Sequence, residues 1–137
     1  MDDALELEVA TPERQLVRER VSEVELPGKA GYMGILPGHA PLLGGLGIGH
    51  LSYVSGRKRR FLAIHSGFLE VLDDHVRVLA DAAERAEDID VERARTALRR
   101  AREQVINPPT AVDSAAAQSA FERAQARIDV SEHKQAD

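Results

Sequence analysis

The chain has 137 residues, a formal net charge of −5 at pH 7, 43% hydrophobic residues and no cysteine. This length fits one domain, or one small domain with an appendage, and the negative charge argues against nucleic-acid binding because no overall positive field would attract phosphate backbones. Without cysteine the chain can form neither disulfides nor thiolate metal sites, and it has no cysteine nucleophile.

The N-terminal sequence, Met1-Asp2-Asp3, lacks the basic and then apolar pattern of a secretory signal. No segment approaches the roughly 20 apolar residues that a membrane helix needs. We therefore expect any association with a membrane to run through another protein.

Residues 5–9 alternate apolar and charged side chains, as on a half-buried strand. Turn residues then recur about every 8 to 12 positions, which is the spacing of a sandwich or barrel. The pattern predicts an all-β sandwich of about ten short antiparallel strands. Further candidate strands lie at 21–26, 49–54, 61–65, 68–72 and 76–79.

Small and polar pairs predict turns between these strands, at Ser55-Gly56, Ser66-Gly67 and Asp73-Asp74. The glycine-rich segment 44–49 does not fit G-x-G-x-x-G and lacks the lysine of a P-loop. We expect this segment to be a flexible or tightly bent loop and not a phosphate cradle.

From about Ala82 onward glycine disappears and Ala, Arg and Glu dominate, which raises the helix propensity. Two helices joined by a short link form an antiparallel hairpin. The sequence therefore predicts a β-sandwich domain at 1–86 followed by a C-terminal two-helix hairpin at 87–137.

Both helices have clear end signals. Asp88 or Asp90 can cap the first helix and Asp113 the second. The prolines after Asn107 end the first helix because proline lacks an amide donor and restricts the residue before it. The predicted apolar stripes are Val91, Ala94, Leu98, Ala101 and Val105 on the first helix, and Ala117, Phe121, Ala124 and Ile128 on the second.

Because alanine dominates these stripes, the seam between the helices buries little apolar area. A weakly held hairpin could dock and detach, as a regulatory element needs, or it could pack permanently on the sandwich. The composition of the seam leaves both alternatives open.

Polar clusters give weaker signals. The five histidines show no paired metal-ligand spacing, so we expect surface or strand positions for them. Arg93 and Arg100 share one helical face, as do Arg123 and Arg127 on the next helix. Guanidinium groups suit phosphate oxygens, but spacing alone favours solvated helix faces with i,i+4 ion pairs.

Residues 34–43, Gly-Ile-Leu-Pro-Gly-His-Ala-Pro-Leu-Leu, resemble the signature loop of the ATP synthase epsilon subunit family. Residues 66–71 and 78–81 are similar to two later strands that are marked in this family. The resemblance covers nearly the whole chain in the same order and implies a β-sandwich followed by two helices.

Residues 89–94, Ile-Asp-Val-Glu-Arg-Ala, fit the I/L-D-x-x-R-A motif of family members that bind ATP. The resemblance implies ATP as a regulatory ligand, with no required cofactor and no metal. The positions that it assigns to ATP binding are Glu84, Ile89, Asp90, Arg93, Ala94, Arg100, Arg123 and Arg127.

The resemblance further implies a non-catalytic subunit of the central stalk, which couples rotation of the c-ring to the catalytic alpha and beta subunits of a proton-translocating ATP synthase. ATP would stabilise the hairpin folded against the sandwich, whereas the extended hairpin would enter the catalytic head and inhibit hydrolysis. The chain would lie at the cytoplasmic face of the cell inner membrane, attached only through the complex.

Two surfaces follow from the same resemblance. The sandwich would contact the gamma subunit and the c-ring, and the first helix would contact the beta subunit in the inhibited state. The residues assigned to the rotor and gamma contact are Gly34, Pro37, Gly38, His39, Pro41 and Leu42. Those assigned to the beta subunit are Arg95, Arg99 and Arg102.

Tyr32 departs from the family pattern, because many members carry an acidic residue beside the signature loop. The resemblance therefore does not imply a polar contact with the c-ring at this position. Two other functions remain open: a free-standing ATP sensor, and a ligand-binding sandwich with a helical dimerisation hairpin.

Overall fold

The computed structural model describes residues 3–109 and 113–134, which form seven β-strands, one 3-10 turn and two α-helices. The predicted outer domain limits, Met1 and Asp137, lie outside the described residues. The strands are β1 (Leu5–Ala10), β2 (Gln15–Val21), β3 (Glu23–Gly28), β4 (Gly31–Ile35), β5 (Leu42–Ser55), β6 (Lys58–Leu72) and β7 (His75–Arg85). The 3-10 turn at Ala86–Asp88 leads to α1 (Val91–Ile106) and α2 (Ser114–Ser131).

The strands form one sheet in the order β2-β1-β7-β6-β5-β3-β4, antiparallel throughout except for the parallel pair β1 and β7. The sheet folds over, because β2 reaches β5 although three strands separate them in this order. The Glu19 carboxylate on β2 accepts hydrogen bonds from the hydroxyls of Tyr53 (3.1 Å) and Ser55 (2.8 Å) on β5. Burial and the nearby Glu19 charge raise the pKa of Tyr53 to about 12, which keeps this donor protonated.

The predicted class, a β-sandwich followed by a helical hairpin, is confirmed, but the expected strand count of about ten is wrong. Residues 44–49 are not a loop but part of β5, and Ser66-Gly67 is not a turn but a kink inside β6. At the kink φ is 58° and 129°, while the pairing register with β5 and β7 stays unchanged. The turn at Asp73-Asp74 is confirmed, with positive φ at both residues.

The kink exchanges the side chains that face the core. Leu62 and Ile64 are buried in the sandwich core before the kink, whereas Leu69 and Val71 are buried after it. Alternation along one strand therefore changes phase, because the two residues at positive φ reverse the direction of the pleat. The period-two pattern of the sequence therefore predicts two strands where the structure has the single strand β6.

Both helices begin at the predicted caps. The Asp90 side chain accepts a hydrogen bond from the Arg93 amide (3.1 Å), and the Asp113 side chain accepts one from the Ala115 amide (2.9 Å). The first helix ends at Ile106, directly before Asn107. The choice between Asp88 and Asp90 as the first cap is thereby decided in favour of Asp90.

The hairpin is docked on the outer surface of the sandwich, with α2 against β5 and β6. A second cluster, separate from the sandwich core, consists of Ala63, Ala86, Ile89, Ala94 and Val130. Its alanines contribute less burial energy than the roughly 1.5–3 kcal/mol of a buried Leu or Val side chain. The contact is therefore shallow, in agreement with the alanine-rich sequence.

The predicted stripes are only partly buried. Ala94 and Ala101 of α1 are buried, but Val105 remains 40% exposed near the helix end. On α2, Ala117 and Ala124 are buried as expected. Ala126 and Val130, outside the predicted stripe, are buried as well, because α2 packs against the sheet in addition to α1.

Four rings connect the sheet with the C-terminal end of α2. Tyr32 stacks on His50 with 4.7 Å between ring centroids, His50 lies 5.9 Å from Phe61, and Phe61 stacks on His133 at 3.8 Å. We call Tyr32, His50, Phe61 and His133 the aromatic ladder. Next to it, the Lys134 ammonium donates a hydrogen bond to the Ile89 carbonyl (3.0 Å). The ladder ties the end of the hairpin to the sheet, and the Lys134 hydrogen bond ties it to the segment before α1.

We expect Gly67→Ala to lower the free energy of unfolding by about 2 to 4 kcal/mol, measured by urea denaturation. An added Cβ would overlap the Leu79 carbonyl oxygen and come within 2.8 Å of the Ala80 Cα, at a positive φ that alanine disfavours. Gly34→Ala is the matched control, because a Cβ there meets no atom within 4 Å. Equal stability of the two variants would contradict the role of the kink.

We expect His133→Ala to raise amide hydrogen exchange in the last turns of α2 about two- to tenfold, because a lost aromatic stack is worth about 0.5–1.5 kcal/mol. Amides of β1 and β7 should keep their rates. His75→Ala, at an exposed position away from the ladder, should change nothing in α2. Unchanged exchange of α2 in His133→Ala would show that the stack does not hold the docked hairpin.

Candidate functional site

A cleft of about 320 Å³ lies where the start of α1 and the middle of α2 meet the end of β7. Each of the three elements supplies charged side chains to it. Its lining consists of Glu84, Asp90, Arg93, Ala94, Ala97 and Arg127.

A second cavity continues from this cleft between α2 and the sheet. Alanines form much of its wall, and His65 and Arg123 add polar groups. Glu84 and Arg127 line both spaces, and their ion pair (2.7 Å) stands between them. The two spaces share this pair as a wall, and together they form the candidate site.

Local structure explains why these side chains meet. Asp90 caps α1, so Arg93 projects from the first turn of the same helix. Glu84 lies opposite Ala63 in the β6–β7 register, on the sheet surface that α2 covers. Arg123 and Arg127 are one helical turn apart, so both reach the same stretch of sheet.

The site has an excess of positive charge. Three arginines, Arg93, Arg123 and Arg127, stand against two carboxylates, Glu84 and Asp90. Within the part of the chain that the structure describes, the guanidinium groups of Arg93 and Arg123 form no ion pair and no hydrogen bond. Groups of this kind can bind an anionic ligand without first giving up a protein partner.

Five of the eight predicted ATP-binding residues line the cleft: Glu84, Asp90, Arg93, Ala94 and Arg127. Arg123 lies in the adjoining cavity. Ile89 is 3% exposed and packs in the helix–sheet cluster, so its side chain supports the site without lining it. Arg100 is exposed on α1 and lines neither space. ATP binding by these residues, including Arg100, stays a prediction.

The predicted rotor-contact residues lie at the other end of the sandwich. Gly34 lies within β4. Pro37, Gly38, His39 and Pro41 belong to the loop that follows, and Leu42 begins β5. The Gly38 amide donates a hydrogen bond to the Asp74 carboxylate (2.7 Å), which fixes this loop against the β6–β7 turn.

A patch of exposed apolar side chains lies beside this loop, and the sequence patterns did not predict it. Phe68 pairs with Leu79 across β6 and β7, and Leu43 lies on the neighbouring strand. Their exposed fractions are 63%, 52% and 76%. The sequence did contain a signal for this patch, because Phe68-Leu69 and Val78-Leu79 are consecutive apolar pairs within strands. One residue of each such pair must face outward.

The arginines predicted to contact the beta subunit are exposed on the outer face of α1. Arg95 pairs with Glu92 (2.8 Å) and Arg99 donates to the Thr96 hydroxyl (3.3 Å). Arg102 is exposed as well. These contacts are local to the helix, so docking of the hairpin leaves all three arginines at the surface.

The structure also bears on metals and membranes. Across residues 3–109 and 113–134, no group of three or more histidine, aspartate or glutamate side chains is arranged to hold a metal ion. Neither described helix is long and apolar enough to span a membrane.

Comparison with known families gives two matches, which together cover nearly the whole chain. Residues 4–86 match the β-sandwich domain of the ATP synthase delta/epsilon chain, and residues 87–132 match its long α-helix domain.

Individual relatives agree with these matches. The ATP synthase epsilon chain of Solibacter usitatus is 59% identical over 98% of this chain and 100% of that relative. The ATP synthase epsilon chain of Nitratidesulfovibrio vulgaris strain DP4 is 45% identical over 95% of this chain and 97% of that relative. A chain of the Euglena gracilis mitochondrial ATP synthase, solved with its c-ring, superposes with a TM-score of 0.81 at 26% identity, covering 97% of this chain and 84% of that one.

Proposed function

The chain belongs to the ATP synthase delta/epsilon chain family, and from this premise we propose that it is the epsilon subunit of a central stalk whose helical hairpin senses ATP and inhibits ATP hydrolysis. An epsilon chain of the stalk is not a catalytic subunit, so catalysis belongs to other subunits of the complex. Its work is to transmit rotation and to respond to a ligand.

One observation carries the ATP-sensing part of this proposal. The charged groups of the cleft come from three separate elements: Glu84 from β7, Asp90 and Arg93 from α1, and Arg127 from α2. If α2 leaves the sheet, these groups no longer surround one space. A ligand that bridges them therefore binds the docked hairpin only, and it shifts the equilibrium toward docking by its differential affinity.

ATP fits the chemistry of this site. Its phosphates suit the guanidinium groups of Arg93, Arg123 and Arg127. One Asp90 oxygen accepts the Arg93 amide in the helix cap, and the second can accept from an adenine amino group or a ribose hydroxyl. Ala94 and Ala97 leave a small apolar wall beside these groups.

In the absence of ATP, the shallow alanine contact allows the hairpin to leave the sandwich. Arg95, Arg99 and Arg102 are already at the surface and would pair with acidic segments of the beta subunit. The extended hairpin would then oppose rotation in the hydrolytic direction. ATP would thus reduce inhibition by holding the hairpin down.

The stalk function uses the opposite end of the molecule. The loop with Pro37, Gly38 and His39 and the apolar patch around Phe68 offer the gamma subunit and the c-ring a continuous surface. Single-subunit proteins rarely expose large apolar patches, so this one fits a protein interface. The protein would be peripheral to the cytoplasmic face of the inner membrane and held there by the complex.

We expect Arg93→Ala, Arg123→Ala and Arg127→Ala each to weaken ATP binding about ten- to a hundredfold, because each removes a charge-assisted contact of about 1.5–3 kcal/mol. Isothermal titration of the isolated chain measures this. Arg95→Ala is the matched control, since Arg95 lies on the same helix but outside the cleft. Wild-type affinity in all three variants would remove the nucleotide site.

We expect the chain truncated after Asp88 to bind gamma and to support ATP synthesis, because the sandwich core is separate from the helix–sheet cluster. Assembly is measured by co-purification with gamma. ATP hydrolysis by the reconstituted complex should rise. Loss of gamma binding would contradict the division of labour, and unchanged hydrolysis at low and high ATP would contradict the inhibitory role.

A further inference from the structure

His65 lies on the floor of the cavity that Arg123 and Arg127 cover. It belongs to the outer face of β6, opposite Ala82 of β7, and it is half-buried beneath α2. Among the described residues, no group forms a hydrogen bond with its ring. A half-buried imidazole without such a bond can still interact with a ligand in the cavity.

Charged groups face His65 from two of the elements around it. Asp81 and Glu84 lie on β7, and Arg123 and Arg127 lie on α2. On the other side β5 places Ile48 opposite His65, and the titratable His50 lies two residues further along β5, opposite Ala63. Burial and then the Arg123 charge lower the pKa of His65, Asp81 opposes them, and Arg127 lowers it further.

We propose that His65 is a further ligand-contacting residue of this site, which takes up a proton when ATP binds and donates a hydrogen bond to the phosphate chain. The inference rests on the proposed function, because it requires a polyanion between Arg123 and Arg127. The proton comes from solvent and remains on the imidazole, so no covalent bond of the nucleotide changes.

The physical reason is electrostatic. In the free protein the two guanidinium groups oppose a third positive charge beneath them. Phosphates bound between them reverse the local field, so the imidazolium becomes favourable and gains an acceptor. The pKa of His65 is therefore higher in the complex than in the free protein. By linkage, affinity rises as pH falls through the bound-state pKa and levels off below the free-state pKa.

The consequence is a nucleotide sensor that also responds to pH. At lower cytoplasmic pH, ATP would hold the hairpin down more tightly at the same concentration. This dependence is additional to the protonation of ATP itself, whose phosphates titrate in a similar range and lose affinity for arginine when protonated.

The test compares ATP binding by the full chain and by His65→Gln at about pH 6 and about pH 8.5. Glutamine keeps hydrogen-bonding capacity but does not titrate, so the comparison separates the imidazole from the ATP phosphates and from Asp81 and Glu84. We expect the ratio of wild-type to variant affinity to be larger at the lower pH, and for a pKa difference of about one between free and bound protein the increase approaches about tenfold only below the free-state pKa. His75→Gln is the control and should behave as wild type.

Two further measurements make the outcome decisive. Titrations at neutral pH in buffers of different ionisation enthalpy should show more proton uptake with ATP for wild type than for His65→Gln, and no such difference with adenosine. NMR titration of the His65 ring in the unmodified protein should show its pKa rising when ATP is added, which requires no variant to fold.

Equal pH dependence of both proteins with an unchanged NMR titration would overturn the role of His65 while leaving the ATP site intact. Equal loss of affinity for ATP and adenosine would place His65 at the base and not at the phosphates, which also contradicts the inference. Absence of ATP binding in wild type and variant alike would remove the proposed nucleotide site and this inference with it.

Discussion

Close approach between α2 and the sheet is the constraint on which the candidate site depends. Ala63 and Ala82 on the strands and Ala126 on the helix present single methyl groups, so the helix can lie near the backbone of β6 and β7. The same small side chains bury little apolar area and leave a cavity beneath Arg123 and Arg127. Shallow docking and the candidate site therefore have one cause.

The contacts at the end of α2 complement this shallow surface. The stack of His133 on Phe61 and the hydrogen bond from Lys134 to the Ile89 carbonyl act where the alanines contribute little. Tyr32 extends the ladder along the sheet, since its hydroxyl accepts a hydrogen bond from the His50 amide and Gly49 leaves room for it. The residue that departs from the family pattern thus belongs to the surface next to the docked hairpin.

The molecule has two separate hydrophobic clusters. The sandwich core is closed by strands alone, including the bridge from Glu19 to Tyr53 and Ser55, whereas the helix–sheet cluster lies outside it. Opening the hairpin exposes the second cluster without disturbing the first. The sandwich core therefore does not depend on the position of the hairpin.

The sequence by itself determined the class of fold, the helix caps at Asp90 and Asp113, and the family, because capping, strand alternation and the motifs at 34–43 and 89–94 are local patterns. It did not determine that Gly44–Gly49 and Ser66-Gly67 continue strands, since pairing with neighbours outweighs local turn preference. The exposure of Phe68 and Leu79, and the place of His65 beneath two arginines, were decided only by the tertiary structure. Long-range packing decides both the kink in β6 and the docking of α2 on residues about 60 positions earlier in the chain. The local periodicity of the sequence contains no information about either.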